Sequence, residues 1–208
     1  MTTDGVTTSA TLLGEPLPVE LMNTVNMGRG RVVDALDGGA AAWLHALAGR
    51  LGVETGIEAV QLDQNAVRPV ADALRTLRDA LRRLAEEATD DPRPSATAAD
   101  LTRSEAVTML NALAQAWPEL VWPADEQPSR AYRGHGAAAD LAVRLIAHQG
   151  VELFTGPNRE RLRPCLAPNC LLFFVKTHAR QEWCSAACGN RARVSRHHRR
   201  HHATPRTQ

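Results

Sequence analysis

The sequence predicts a mainly α fold in two parts, a helical N-terminal domain over about 10–155 and a small β-hairpin and helix module over about 160–200. Three observations favour this fold class. Ala and Leu are abundant, whereas aromatic residues make up only 4% of the chain, which favours helix over sheet. Apolar residues recur at helical spacing through the first part. All four cysteines lie within residues 165–188, in the second part.

The first elements are short. Residues 17–25 are compatible with either a short extended segment or a helical turn, and "MGRGR" at 27–31 predicts a turn because it carries two glycines. From residue 39 the apolar spacing predicts a helix, which we expect to end at Gly49 and Gly52.

The longest helical pattern covers 56–88. Pro69 must kink this helix or split it in two, because proline lacks the N–H that a helix interior requires. After the proline, one apolar stripe is formed by Val70, Leu74, Leu77, Leu81 and Leu84. The arginines predicted to lie off this stripe are Arg75, Arg78, Arg82 and Arg83.

Two more helices are predicted. One covers 100–117, where Thr102 and Glu105 have the spacing of a capping box. The other covers 137–154, and we expect it to end or bend near Gly150 because glycine is a poor helix former. Both helices belong to the predicted N-terminal domain.

The remaining segments of the first part are irregular. Prolines break 118–136, which has room for a short strand near 120–122. We expect Trp117 and Trp122 to pack in the core. A linker is predicted over 155–163, where the composition of the chain changes.

Charge is distributed unevenly along the chain. The formal net charge is +1, but residues 159–208 carry eleven basic side chains against two acidic ones, while residues 1–158 carry 21 acidic against 13 basic. An acidic body with a basic tail indicates a polyanionic partner. No apolar run approaches 18 residues and the N-terminus does not resemble a secretory signal, so we expect no membrane association and a cytoplasmic location.

The cysteine spacing predicts a metal site. Cys165 and Cys170 form one close pair, Cys184 and Cys188 form another, and 13 residues separate the pairs. Two such pairs supply the four thiolates of a tetrahedral Zn²⁺ site, and a reducing compartment disfavours disulfides. A closed set of four ligands leaves no open position for a substrate, so one structural zinc ion is predicted. The segment between the pairs, 171–183, is interpreted as a hairpin, and Ser185 is placed to cap a helix.

A basic segment follows the last cysteine. At about 100° per residue, Arg193, Arg196 and Arg200 share one face of a helix. Such a helix has little to bury, and arginine is a bidentate donor to phosphate, so DNA is the predicted partner. The alternative is a charged tail without fixed structure over 197–208. The residues predicted to contact nucleic acid are Asn190, Arg191, Arg193, Arg196, Arg199 and Arg200.

The segment "LRPC…C…WCSAACGNRARV" resembles the CGNR zinc finger, whose name stands here as residues 188–191. The segment "GEPLPVELMNTV" at 14–25 and the pair Trp43-Leu44 resemble the N-terminal domain that accompanies this finger in bacterial proteins described as stress-induced transcription regulators. The resemblance implies a helical regulatory domain, zinc on the four cysteines and a DNA-binding finger. One departure is Gln181-Glu182, which stands where the family tends to have arginines.

Other polar residues leave two interpretations open. Asn190 either bonds local backbone or contacts nucleic acid, and Arg191 either contacts nucleic acid or pairs with the acidic body. Asn23 and Thr24 either bond backbone at a helix start or line a ligand pocket.

The predicted function is transcription regulation. We do not expect an enzyme, because the common catalytic motifs are absent from the sequence. The N-terminal domain would sense a small-molecule effector or mediate homodimerisation. The alternatives are an adaptor whose zinc module binds another protein, or a non-specific RNA binder.

Overall fold

The computed structural model describes residues 12–28, 30–96 and 100–202, apart from the side chains of the last two, and its fold is mainly helical as predicted. The α-helices in these ranges are α1 Leu17–Met22, α2 Ala40–Ala46, α3 Ala48–Thr55, α4 Gln64–Val67, α5 Ala71–Ala88, α6 Arg103–Leu113, α7 Ala138–Thr155 and α8 Ala186–His202. Short 3₁₀ helices cover Ala59–Leu62, Arg68–Val70 and Pro157–Arg161. The strands are β1 Val25–Gly28, β2 Arg31–Asp34, β3 Trp117–Val121, β4 Ser129–Arg133, β5 Leu162–Pro164 and β6 Phe173–Val175.

Helix α5 is the centre of the core and packs against α1, α6 and α7. Of the two structures left open for residues 17–25, the segment begins as helix α1, and every residue of α1 is buried. Helix α7 continues through Gly150 to Thr155, so the predicted end near Gly150 is wrong. A Cβ at Gly150 would lie 2.8 Å from a Leu81 methyl group and 3.1 Å from one of Leu110, so the glycine is needed for close helix packing.

The helix predicted from residue 39 differs in detail. It breaks at Leu47 into α2 and α3, and α3 runs through Gly49 and Gly52, so the predicted ends were wrong. Gly56 ends α3 in the left-handed conformation, with φ +75°, which glycine adopts without strain. The split at Pro69 is confirmed, since a 3₁₀ turn separates α4 from α5.

Two hairpins lie in the first part of the chain. Strands β1 and β2 pair antiparallel. Strands β3 and β4 also pair antiparallel, with Trp117 opposite Arg133 and Val121 opposite Ser129. The strand near 120–122 is therefore real and longer than predicted. Trp117 and Trp122 do not pack in the core as predicted, because Trp117 is 45% exposed and Trp122 is 67% exposed.

The segment predicted as a linker is structured. It contains the start of strand β5, which pairs antiparallel with β6. A hairpin was predicted within 171–183, but the partner of β6 lies outside that segment, before the first cysteine. Leu162, Phe173 and Val175 from these strands belong to the same apolar core as α1 and α5. The cysteine-containing region is thus packed directly on the helical region.

Two of the arginines on α5 are buried. Arg78 is 5% exposed and forms ion pairs with Asp34 at 2.7 Å and Asp79 at 2.9 Å. Arg82 is 1% exposed, and its guanidinium donates to the carbonyl of Met22 at 2.8 Å and that of Leu171 at 3.2 Å. Desolvation by burial lowers the pKa of Arg82 to about 10. Both side chains lie off the apolar stripe, but their burial was not predicted.

Glu15 also joins the two regions. Its buried carboxylate accepts the backbone N–H of Val175, in β6, at 2.9 Å. Burial raises the pKa of Glu15 above its ordinary 4.5, and the nearby Glu20 carboxylate adds to the rise, while the Val175 hydrogen bond and Arg50 oppose it. The folded protein therefore holds this proton at a pH where the unfolded chain has lost it.

A pH dependence of stability follows for Glu15→Gln. Because the folded pKa is raised, the contribution of Glu15 to the free energy of unfolding falls as the pH rises through the window just above 4.5. The introduced amide would keep an acceptor for the Val175 N–H without this titration. We expect the difference in unfolding free energy, variant minus wild type, to increase between about pH 4 and 7.

Urea unfolding at several pH values measures that difference. Metal release at low pH affects both proteins and cancels in the comparison. Glu126→Gln, at an exposed position, is the control and should show a flat difference. A flat difference for Glu15→Gln as well would contradict the interpretation.

Among the helices that the structure describes, none combines the length and the apolar character needed to cross a bilayer.

Candidate metal centre and basic helix

The first cysteine pair lies on a tight turn between β5 and β6. The Cys165 N–H donates to the carbonyl of Leu172 at 2.9 Å, and the Cys170 N–H donates to that of Ala167 at 3.1 Å. Asn169 has a φ of +55°, in the left-handed region that asparagine tolerates better than most residues. This turn brings the two thiols to the same side of the chain.

The second pair lies at the start of α8. Cys184 precedes the helix and Cys188 lies in its first turn, where its N–H donates to the Ser185 hydroxyl at 3.3 Å. The predicted cap at Ser185 is therefore confirmed. Because the helix begins within the cysteine pair, a metal bound there fixes the direction in which α8 leaves the fold.

The four sulfur atoms form a compact cluster in which all Sγ atoms lie within 4.8 Å of one another. Cys184 Sγ is 3.8 Å from Cys170 Sγ and 3.3 Å from Cys188 Sγ, while Cys170 and Cys188 are 3.8 Å apart. Zinc–sulfur bonds of about 2.3 Å in a tetrahedron place the sulfurs about 3.8 Å apart. The donor set therefore fits one Zn²⁺ ion.

The thiols cannot all be satisfied by one another. The contact between Cys165 and Cys170 lowers the pKa of the Cys165 thiol, while the same contact raises the pKa of the Cys170 thiol. The pKa of Cys184 is also raised, first by its contact with Cys165. A divalent cation removes this conflict because it stabilises every thiolate that coordinates it.

Arg93 supports the cysteine turn from outside. Its Nη1 donates to the carbonyls of Cys165 at 3.2 Å, Cys170 at 3.1 Å and Leu172 at 3.2 Å. The same guanidinium forms an ion pair of 2.6 Å with Asp91, whose side chain is 2% exposed. Arg93 therefore orients the backbone that carries two of the metal ligands.

Sequence reasoning missed this role of Arg93. The only local signal is its position between two prolines in the segment 92–94, which restricts the backbone on both sides. The carbonyls that it binds are more than 70 residues further along the chain.

Asn23 connects the helical region to β6. Its amide nitrogen donates to the carbonyl of Phe173 at 2.9 Å, and its side-chain oxygen accepts the Phe173 N–H at 2.8 Å. The Thr24 hydroxyl donates to the carbonyl of Leu21 at 2.8 Å. Both side chains are buried and bonded to backbone, and a ligand-binding role for Asn23 and Thr24 stays a prediction.

The residues predicted to contact nucleic acid all lie on α8. The Arg191 guanidinium donates to Cys188 Sγ at 3.0 Å, so it offsets negative charge at the metal centre. Arg193 donates to the Asn190 side chain, and Arg196 donates weakly to the carbonyl of Ala192 at 3.4 Å. Asn190, Arg191, Arg193 and Arg196 thus have partners within α8, and only the contact of Arg191 is with a metal ligand.

Gly189 has a steric role next to the cluster. A Cβ at this position would lie 3.1 Å from Cδ1 of Trp183, closer than ordinary van der Waals contact. Trp183 packs against the small apolar cluster formed around the cysteines. The glycine after the fourth cysteine therefore allows the indole ring to cover the start of α8.

The fold and the sulfur cluster define a helical protein with a structural zinc module. The chain belongs to the ABATE family, whose model is described as "Putative stress-induced transcription regulator" and matches residues 15–157. A second model, the CGNR zinc finger, matches residues 161–201. The four cysteines lie within this second match, so they are the zinc-binding site of the finger.

The family descriptions concern a regulator and a zinc finger, and neither names an enzyme. A search among curated proteins finds no match for the chain.

Proposed function

We propose that this protein is a transcription regulator that binds DNA through α8, while the zinc centre fixes the direction of that helix. The family description supports the regulatory class. DNA binding is our inference from the charge and placement of α8.

The observation that carries the proposal is the composition of a projecting helix. Residues 186–202 contain five arginines and no acidic residue. Ala192 is buried on the finger, but every residue from Arg196 to Arg200 is exposed. Helix α8 is about 25 Å long at 1.5 Å per residue. A helix of this size that buries so little is suited to a partner outside the chain.

Four of the basic side chains of α8 lie on one face. Arg193, Arg196, His197 and Arg200 line a shallow concave surface on the helix. Their spacing of three and four residues places them side by side, and guanidinium groups bind phosphate oxygens in bidentate fashion. The major groove of DNA admits a single α-helix, with phosphates along both edges. These contacts would give affinity without sequence choice.

A salt series tests this proposal. Binding of duplex DNA that uses four to six phosphates should give a slope of about −4 to −5 in a plot of log K against log salt concentration. Replacing Arg193, Arg196 and Arg200 together with glutamine should reduce the slope to about −2, since roughly one unit is lost per phosphate contact. Fluorescence anisotropy with a labelled duplex gives both slopes.

The control removes the same charge elsewhere, at the exposed Arg31, Arg68 and Arg130. This variant should keep a slope near that of the wild type. The absence of duplex binding by the wild-type protein at low salt would overturn the proposal, as would equal slopes for the two triple variants.

The alternatives have distinct outcomes in the same assay. An RNA binder would prefer mixed-sequence RNA to duplex DNA, but a stacking platform is poorly supported because Phe173 and Phe174 are buried. A protein-binding adaptor would bind neither nucleic acid. Whichever partner α8 binds, we propose that the helical region senses an effector or mediates dimerisation.

A further inference from the structure

A cavity of about 600 Å³ opens between α5, α6 and α7, and none of the four cysteines lines it. Its size falls in the range of small-molecule sites. None of the residues predicted to bind a ligand lines it. The residues that line it are Leu84, Glu87, Ala88, Arg103, Val107, Leu110, Asn111, Val151, Phe154, Thr155 and Arg159.

The interior of the cavity is apolar. Leu110 is buried in the main core, and Leu84, Val151 and Phe154 are partly buried and pack against it. Val107 belongs to the same wall and is 41% exposed, so the apolar surface is accessible to solvent. A ligand with an apolar body would cover this surface and gain about 25 cal/mol for each Å² removed from water.

The charges around the cavity are unbalanced. Glu87 already forms ion pairs with Arg83 at 2.7 Å and with Arg103 at 3.1 Å. Arg159 follows the C-terminal end of α7, in the 3₁₀ helix Pro157–Arg161. Its exposed guanidinium has no side-chain hydrogen bond or ion pair within the described ranges. One cation is therefore left without a counterion beside an apolar surface.

We infer that this cavity binds an amphipathic monocarboxylate, with its apolar body against Leu84, Leu110 and Phe154 and its carboxylate on Arg159. A guanidinium binds a carboxylate through two parallel hydrogen bonds. The amide of Asn111, which also lines the cavity, supplies a further donor. An amine would be repelled by Arg159, and a neutral alcohol would lack the charged contact.

The position of Arg159 connects this site to the finger. It lies in the 3₁₀ helix Pro157–Arg161, which leads directly into β5 and then to Cys165. A ligand on Arg159 would thus contact the segment from which the metal module begins. This regulatory consequence rests on the proposed function, whereas carboxylate binding itself does not.

Isothermal titration of the full-length zinc-loaded protein with sodium decanoate tests the site. We expect saturable binding of one decanoate per chain, and at least tenfold weaker binding to Arg159→Gln. Val107→Trp, which fills the cavity at a partly exposed position, should also weaken binding at least tenfold. Arg31→Gln removes an exposed arginine elsewhere and should bind decanoate like the wild type.

Decylamine and 1-decanol separate the contributions of charge and chain. Decylamine should show no saturable binding, and decanol should bind at least tenfold more weakly than decanoate. The inference is overturned if wild-type protein does not bind decanoate, if Arg159→Gln binds it equally well, or if decylamine binds as tightly. Because no DNA is present, failure of the DNA-binding proposal leaves this result unaffected, and the converse also holds.

Discussion

Replacing Cys184 with serine is expected to remove the zinc ion and unfold the finger. Three thiolates and a hydroxyl hold zinc far less tightly than four thiolates, because the hydroxyl stays protonated at neutral pH. Structural zinc contributes about 10–16 kcal/mol in zinc-finger peptides, which matches or exceeds the 5–15 kcal/mol stability of a typical domain. Metal analysis should show about one zinc per wild-type chain and almost none in the variant.

The effect should extend beyond the finger. Phe173 and Val175 follow the first cysteine pair and belong to the core that contains α1 and α5. Loss of the metal loosens β6, so the thermal midpoint of the whole chain should fall. Leu166→Ser is the matched control, since Leu166 lies on the same cysteine turn but is exposed. A Cys184→Ser protein that retains zinc and the wild-type midpoint would contradict this account.

Arg93→Ala should be the most destabilising change outside the cysteines. The variant loses three hydrogen bonds from a charged donor to the cysteine turn, and it leaves the buried Asp91 carboxylate without its ion pair. Removing one partner of a buried ion pair costs about 3–5 kcal/mol. Loss of a group that orients metal ligands also weakens metal binding by about 10- to 100-fold. Urea unfolding and competition with a zinc chelator measure the two effects.

A double variant separates the ion pair from the hydrogen bonds. Asp91→Asn combined with Arg93→Ala should recover part of the unfolding free energy, because the isolated buried charge is removed, but zinc affinity should stay low. Arg103→Ala, which breaks an exposed ion pair with Glu87, should cost less than about 1 kcal/mol. If Arg93→Ala behaves like Arg103→Ala, then Arg93 has no role in holding the cysteine turn.

Local chemistry made much of the fold predictable. The zinc ligands could be predicted because two close cysteine pairs are the usual ligand pattern of a tetrahedral zinc site. The caps at Thr102 and Ser185 depend only on neighbouring residues, and the structure confirms both. Pro69 splits the long helix because it lacks an N–H, which is a property of that residue alone.

The missed features depend on distant partners. Arg82 lies off the apolar stripe of α5, so its sequence position predicts an exposed side chain. Its burial is favourable because its guanidinium donates to the carbonyls of Met22 and Leu171, which are 60 and 89 residues away in the chain. Asn23 and Phe173 are 150 residues apart in the chain. The cavity beside Arg159 likewise arises from the packing of three helices, and no sequence motif marks it.

The reciprocal hydrogen bonds between Asn23 and the backbone of Phe173 belong to an interface that limits how the finger can be transferred to another protein. Only a small apolar cluster around the sulfurs packs within the finger itself. Leu162, Phe173 and Val175 pack instead against the helices of the first part of the chain. A graft of residues 161–201 onto another scaffold would therefore expose Leu162, Phe173 and Val175 to water. A finger transferred between related proteins would therefore have to be moved together with the surface of α1 against which these residues pack.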